Sequence, residues 1–173
     1  MRHPSLSRVL ALDLHPRHFG YVVVESPQRL LDWGGRSYRC KGNSADVLIR
    51  KRLRPLLELW RPSLLLIHHP RQTGPKRNDF QINFCKRIVT EAKNHRVSVR
   101  TLTKTPKQGP SGKPTKYENA RRAAGHFSVL RWKLPPKRKP WESEDYRMSM
   151  FTAAAAAFTT SGAICRPSPA KSV

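Results

Sequence analysis

Arg8-Val9-Leu10-Ala11-Leu12-Asp13-Leu14 is an apolar run with one carboxylate inside it. It reads as a buried strand. A short turn holding Pro16 separates it from a second apolar run over 19–25, Phe19-Gly20-Tyr21-Val22-Val23-Val24-Glu25. A third run, 30–39, follows Pro27 and opens Leu30-Leu31-Asp32-Trp33-Gly34. Strands this close in sequence connect most simply as antiparallel neighbours. Asp13 needs a separate explanation. A buried, ionised carboxylate is costly unless it is paired or holds a metal, and the chain has only 11 Asp+Glu against 34 Lys+Arg. Two readings are open. Asp13 ends the strand and caps the Leu14-His15-Pro16 turn, or it carries chemistry.

From Ser44 the period changes. Ala45, Leu48, Ile49, Leu53, Leu56, Leu57 and Trp60 recur at helical spacing, and Pro55 inside this stripe predicts a kink or break. Residues 63–67 form a continuous apolar run, as expected of a strand covered on both faces. A second helix is predicted over about 79–95, with Phe80, Phe84, Cys85, Ile88 and Ala92 on one face, and 97–102 alternates as a fifth strand. Residues 104–115 are Lys, Thr, Pro, Gly and Ser and read as a mobile basic loop. A third helix is predicted over about 116–131, a Pro/Lys-rich linker over 132–141, and a last helix beginning near 142–145 with Met148, Phe151 and the alanines of 153–157. This order predicts an α/β fold: a five-stranded mixed sheet of three antiparallel and two parallel strands, flanked by helices. Right-handed crossovers place the fourth strand beside the first. One domain is expected over 1–160, with a disordered basic tail over 161–173.

The formal net charge is +23 and the pI about 11.2. That excess predicts a polyanionic partner, and nucleic acid is the commonest. An anionic membrane surface is the other option, but no membrane partner is expected, and no apolar run reaches the roughly 18–20 residues that span a bilayer. Met1-Arg2-His3-Pro4 does not open a signal peptide. Cys40, Cys85 and Cys165 are widely spaced and fit neither a zinc site nor a disulfide framework, which points to a cytoplasmic protein with reduced thiols. Lys and Arg cluster in 50–54, 71–77, 104–116, 121–122 and 131–139. Contacts of this kind position a nucleic-acid backbone without reading sequence. Trp132, Trp141 and Phe80 are candidate base-stacking residues; core packing is the simpler role for Phe80, and surface packing onto the linker for the two tryptophans.

Glu142, Glu144 and Asp145 fall within four positions. At a helix start they can serve the dipole and the cap. Alternatively, Glu142 and Asp145, three apart, share a helix face. If that face meets the end of the first strand, Asp13 joins them. Three clustered carboxylates need cations between them, and such ligands suit Mg²⁺ or Mn²⁺. Two such ions can activate a water against a phosphodiester.

Over roughly 7–160 the chain resembles the RuvC-type Holliday junction resolvases of the ribonuclease H-like superfamily. Val9-Leu10-Ala11-Leu12-Asp13-Leu14-His15 followed by Gly20-Tyr21-Val22-Val23 is similar to that family's apolar strand, catalytic Asp and Gly-Tyr hairpin. Leu30-Leu31-Asp32-Trp33-Gly34 resembles its third strand, and Arg61-Pro62-Ser63-Leu64-Leu65-Leu66-Ile67 the entry to its fourth. Val97-Ser98-Val99 with Thr105-Pro106-Lys107-Gln108 resembles the fifth strand and the Val-Lys-Gln stretch after it. Lys116 matches a Lys that opens the next helix, and Glu142-x-x-Asp145 the terminal Asp-x-x-Asp-Ala pattern. The resemblance implies a metal-dependent, structure-specific endonuclease cutting phosphodiesters in branched DNA, working as a homodimer. Asp13, Glu142 (or Glu144) and Asp145 would be its catalytic metal ligands. Lys104, Lys107, Gln108, Lys113, Lys116, Arg71, Lys76 and Arg77 would contact nucleic acid. One departure is plain: the family's Glu at the end of the fourth strand is here His68, followed by His69 and Pro70. His68 either substitutes as a ligand, favouring softer ions than Mg²⁺, or is a polar strand end. The Asp-Pro-Gly turn is also replaced, by Asp13-Leu14-His15-Pro16. The alternatives are a RuvC-like nucleic-acid-binding module that has lost the cut, or an RNA-processing relative.

Overall fold

Strand β1 (Arg8–Leu14) is the central strand of a five-stranded sheet. In the computed structural model, residues 7–25, 29–38, 45–68, 79–102 and 115–164 are described. β2 (His18–Glu25) pairs antiparallel with β1, and β3 (Arg29–Ser37) antiparallel with β2. β4 (Leu64–His68) runs parallel to β1, and β5 (Ser98–Leu102) parallel to β4. The order is β3-β2-β1-β4-β5, with the fourth strand beside the first as expected from the sequence. Because β1 is central, helices cover both of its faces, and its residues are apolar without alternation.

Alternate side chains of β1 feed two cores. Leu10, Leu12 and Leu14 join Phe19, Tyr21, Leu65 and Ile67 on one face. There they meet α1 (Ala45–Leu48), α2 (Arg54–Trp60) and α3 (Asp79–Asn94). Val9 and Ala11 join Val22, Val24 and Leu66 on the other face, against α4 (Lys116–His126) and α5 (Met148–Ile164). Asp32 in β3 has a structural role: it accepts hydrogen bonds from Tyr21 Oη (3.3 Å) and Trp60 Nε1 (3.1 Å), tying the sheet to α2.

The break expected at Pro55 is a π-helical turn over Ile49–Leu53, between α1 and α2. Pro55 has no N–H to donate, so α-helical bonding cannot run through it. The Arg54 N–H instead reaches back to the Ile49 carbonyl, and the wider turn absorbs the mismatch. Arg61, left-handed at φ 45, closes α2. A Thr115/Glu118 capping box starts α4. The helix expected to continue to 131 stops at His126, and a 3₁₀ segment over Ser128–Lys133 follows, with Phe127 and Leu130 buried in the core.

The largest correction concerns the last helix. It starts at Met148, not near 142–145, so Glu142 and Asp145 do not share a helix face. The cause is local. The Asp145 side chain accepts a hydrogen bond from the Arg147 N–H, two residues on (2.8 Å). This Asx-type turn competes with helix. Past Met148, α5 is small and apolar, with Ala153, Ala154 and Ala157 fully buried. Among the described residues no helix is long and apolar enough to cross a membrane. Burial raises the pKa of the Cys85 thiol, which keeps it protonated and unreactive; Cys40 and Cys165 lie outside the described residues.

Gly20 sets how closely α5 approaches the sheet. A Cβ there would lie 2.2 Å from the Met150 nitrogen and 2.3 Å from the Ser149 carbonyl carbon. These are backbone atoms, so no side-chain rotation relieves the clash. Gly20 is also the antiparallel partner of Asp13, so the start of α5 lies over the Asp13 end of the sheet. Gly20→Ala should therefore push α5 off β2 and destabilise the fold by about 3 kcal/mol, at the upper end of overpacking costs. Urea unfolding measures this as a lowered midpoint; an unchanged midpoint would mean that α5 is not seated on Gly20.

Candidate functional site

Asp13 is one residue from the end of β1 and only 1% exposed. The parallel register sets it opposite His68, the last residue of β4, and both side chains project toward the α4/α5 side with Ala11 and Leu66. His68 Nδ1 lies 2.6 Å from Asp13 Oδ1, and His15 Nε2 lies 2.9 Å from Oδ2. The His15 ring in turn stacks on His18, with centroids 4.7 Å apart and planes within 7°. The β1–β2 turn holds this stack: the His15 N–H donates to the His18 carbonyl, and Tyr38 Oη donates to the His15 carbonyl.

Burial pushes the Asp13 carboxyl up, but the hydrogen bonds from His15 and His68, with their charges, outweigh it and hold the group below the ordinary carboxylate range. Burial lowers the His18 imidazole, and the charges of His15 and Lys116 add to that; Asp13 and Glu144 pull the other way. Lys116, the first residue of α4, pairs with Glu144 at 2.5 Å. The site is thus one buried carboxylate among three imidazoles, with a Lys–Glu pair at its border.

The remaining acidic candidates are engaged within their own segment. Asp145 is held by the Arg147 guanidinium, with Nε 3.0 Å from Oδ1 and Nη2 2.6 Å from Oδ2, which lowers its pKa. Glu142 is exposed; its Oε2 accepts from the Lys139 N–H at 3.0 Å. The structure therefore brings Asp13 and His68 together and pairs Lys116 with Glu144, but joins neither Glu142 nor Asp145 to Asp13 by any hydrogen bond. Among the described residues no group of three or more His, Cys, Asp or Glu is arranged to hold a metal ion. Mg²⁺ takes oxygen donors in near-octahedral array. A lone carboxylate whose two oxygens both bind imidazole does not fit a two-Mg²⁺ centre.

Lys104, Lys107, Gln108, Lys113, Arg71, Lys76 and Arg77, with His69 and Pro70, lie outside the described residues. Phe80 packs against Tyr38 and Phe84 at the core, whereas Trp132 and Trp141 are 70% and 78% exposed, with Lys133 and Lys139 over their rings. The residues that sequence reasoning missed are the partners His15 and His18. The signal was there in the spacing: Asp13 and His15 are two apart on a strand ending, and His18 opens the next strand.

No family model and no curated protein matches this chain. Solved structures do. RuvC of T. thermophilus in complex with a Holliday junction substrate superposes with a TM-score of 0.63 at 19% identity, covering 91% of this chain and 95% of that one. The yeast mitochondrial Holliday junction resolvase Ydc2 gives 0.57 at 15% identity, covering 91% and 80%. The fowlpox virus resolvase with Holliday junction DNA gives 0.53 at 14% identity, covering 88% and 99%. At these identities the likeness is one of fold. The chain has the ribonuclease H-like fold of the RuvC-type resolvases.

The lowered pKa of Asp13 has a stability consequence. Its pKa is lower in the folded state than in the unfolded chain, so its pairing stabilises the fold above the ordinary carboxylate pKa and is lost as pH falls through the folded value. Asp13→Asn should be less stable than wild type at neutral pH by roughly 2 kcal/mol, the scale of a charge-assisted hydrogen bond. The gap should close in acid. Urea unfolding at pH 7 and pH 3 measures it; a gap that stays constant would mean that Asp13 is not held as a carboxylate.

Proposed function

We propose that this chain binds branched DNA on the resolvase fold, and does so without the two-Mg²⁺ cut. The observation that carries this reading is the state of Asp13: both oxygens are bound by imidazoles, His15 and His68, where a metal centre would need them free. Glu144 and Asp145 are likewise bound by Lys116 and Arg147. Partnering these carboxylates has a binding consequence. A phosphate backbone meeting this end of the sheet is not repelled by an uncompensated acidic cluster, while the net charge of +23 attracts it. RuvC of T. thermophilus and the fowlpox resolvase were each solved with a Holliday junction, which supports branched DNA as the partner.

A second reading keeps the cut. Here Asp13, Glu142, Asp145 and His68 ligate a metal once DNA is bound, with Mn²⁺ preferred to Mg²⁺ because it accepts imidazole more readily. The seating of α5 on Gly20 favours it, since the segment just before α5 is the one that carries these acids.

Gel-shift and cleavage assays on four-way junction and linear duplex of the same sequence, with Mg²⁺ or Mn²⁺, separate the two. Binding should favour the junction and weaken steeply between low and physiological salt, because counterions are released from the backbone. No product should form, and Asp13→Asn should bind as tightly as wild type or tighter. Cleavage by wild type in Mn²⁺ that Asp13→Asn abolishes and His68→Glu raises in Mg²⁺ would replace binding alone with the nuclease reading. Equal affinity for duplex and junction would remove branched DNA as the partner.

A further inference from the structure

The face of the sheet opposite the imidazoles carries a cationic feature. The β1–β2 turn presents Arg17, β3 ends at Ser37 with Tyr38 beyond it, and the π turn presents Lys51 and Arg52. Together they line a cavity of about 610 Å³. That is within the range of sites that enclose a ligand of several tens of atoms, and far larger than one ion needs. Among the described residues no acidic side chain lines it. Asp46, the acid of α1, is paired with Arg87 at 3.4 Å. Among the described residues, Arg17, Lys51 and Arg52 have no ion-pair partner, and all three are exposed.

Two features of the chain build this site. Pro55 forces the π turn, and within that turn Ile49 and Leu53 are buried while Arg50, Lys51 and Arg52 face outward. Three consecutive cations therefore project from one widened turn. A tether also fixes the opposite wall: the Tyr38 N–H donates to the Arg17 carbonyl at 2.8 Å, and the Tyr38 hydroxyl to the His15 carbonyl. The cavity wall and the imidazole stack thus share one turn, with the cavity on the α1–α3 face and Asp13 directed toward the α4/α5 face.

We infer that this cavity binds the sugar–phosphate backbone of a DNA strand, with Lys51, Arg52 and Arg17 on the phosphates and the Ser37 hydroxyl beside them. Cations without acidic neighbours select phosphate, and a cavity this size has room for a backbone segment as well as for a single phosphate. The inference rests on the proposed binding of branched DNA: it supplies the contact for a second arm, across the sheet edge from the first.

The test compares Lys51→Glu/Arg52→Glu with a control of identical charge change on the exposed surface of α3, Lys86→Glu/Lys93→Glu. Lys51 and Arg52 are exposed, so the fold should hold; circular dichroism checks it, and Arg17→Glu gives an independent probe outside the helix. Junction affinity of the pocket variant should fall at least about tenfold below the control, and its log–log salt slope should shrink by about 2, the loss of two phosphate contacts. Inorganic phosphate titrated into wild type should shift the amide NMR signals of Ser37, Lys51 and Arg52 and leave those of Lys86 and Lys93 in place. Equal loss in pocket and control variants, or no shift with phosphate, overturns the inference. If wild type binds linear and branched DNA alike while the pocket variant is weakened on both, the branched-DNA reading falls and the pocket stands.

Discussion

Taking a carboxylate out of water costs several kcal/mol unless partners replace its lost hydration, and Asp13 is almost wholly buried at the end of the central strand. The replacement comes from two imidazoles. His68 is supplied by the parallel register of β4, and His15 by the chain two residues on. Much of this end of the sheet follows from that requirement. The turn must curl so that His15 faces back to Asp13, and His18 then stacks against it. Gly20 must lack a side chain because α5 lies directly over the strand that pairs with Asp13. The fold and the electrostatics of the site are thus one problem with one solution.

The sheet was legible because its strands are apolar runs separated by proline turns, and because a right-handed crossover leaves β4 few places to go. The pairing of Asp13 with His68 follows from that register once β4 is beside β1. The start of α5 was not legible. Glu142, Glu144 and Asp145 resemble a helix N-terminus in composition, but Asp145 bonds its own backbone and Arg147 first, and local side-chain bonding of this sort competes with helix. Composition cannot rank two such local options. Nor could it reveal that Pro55 would widen the turn before it instead of kinking the helix after it.

The departure at position 68 changes the character of the site and not only its ligand count. A carboxylate there would have placed two like charges side by side at the end of adjacent parallel strands, a pair that cations must hold together. An imidazole at the same register makes the pair self-compensating, and the carboxylate is satisfied by the protein alone. The same contrast recurs outside the sheet, where Lys116 meets Glu144 and Arg147 meets Asp145. Each acid near this end of the sheet has a protein cation or donor for a partner.

A chain with a net charge of +23 repels itself, and that repulsion weighs against the compact state. Much of the excess sits where it costs the core nothing: on the outside of the π turn, at the start of α4 and in the segment that carries Trp132 and Trp141. These positions flank both faces of one sheet. A linear duplex presents a single rod of phosphate and can satisfy one face at a time. Two arms diverging from a branch point can meet both faces at once, and linked contacts raise affinity well beyond either alone. Preference for a branch then needs no base-specific contact. It would follow from cations held on opposite sides of one five-stranded sheet, as the proposed binding of branched DNA requires.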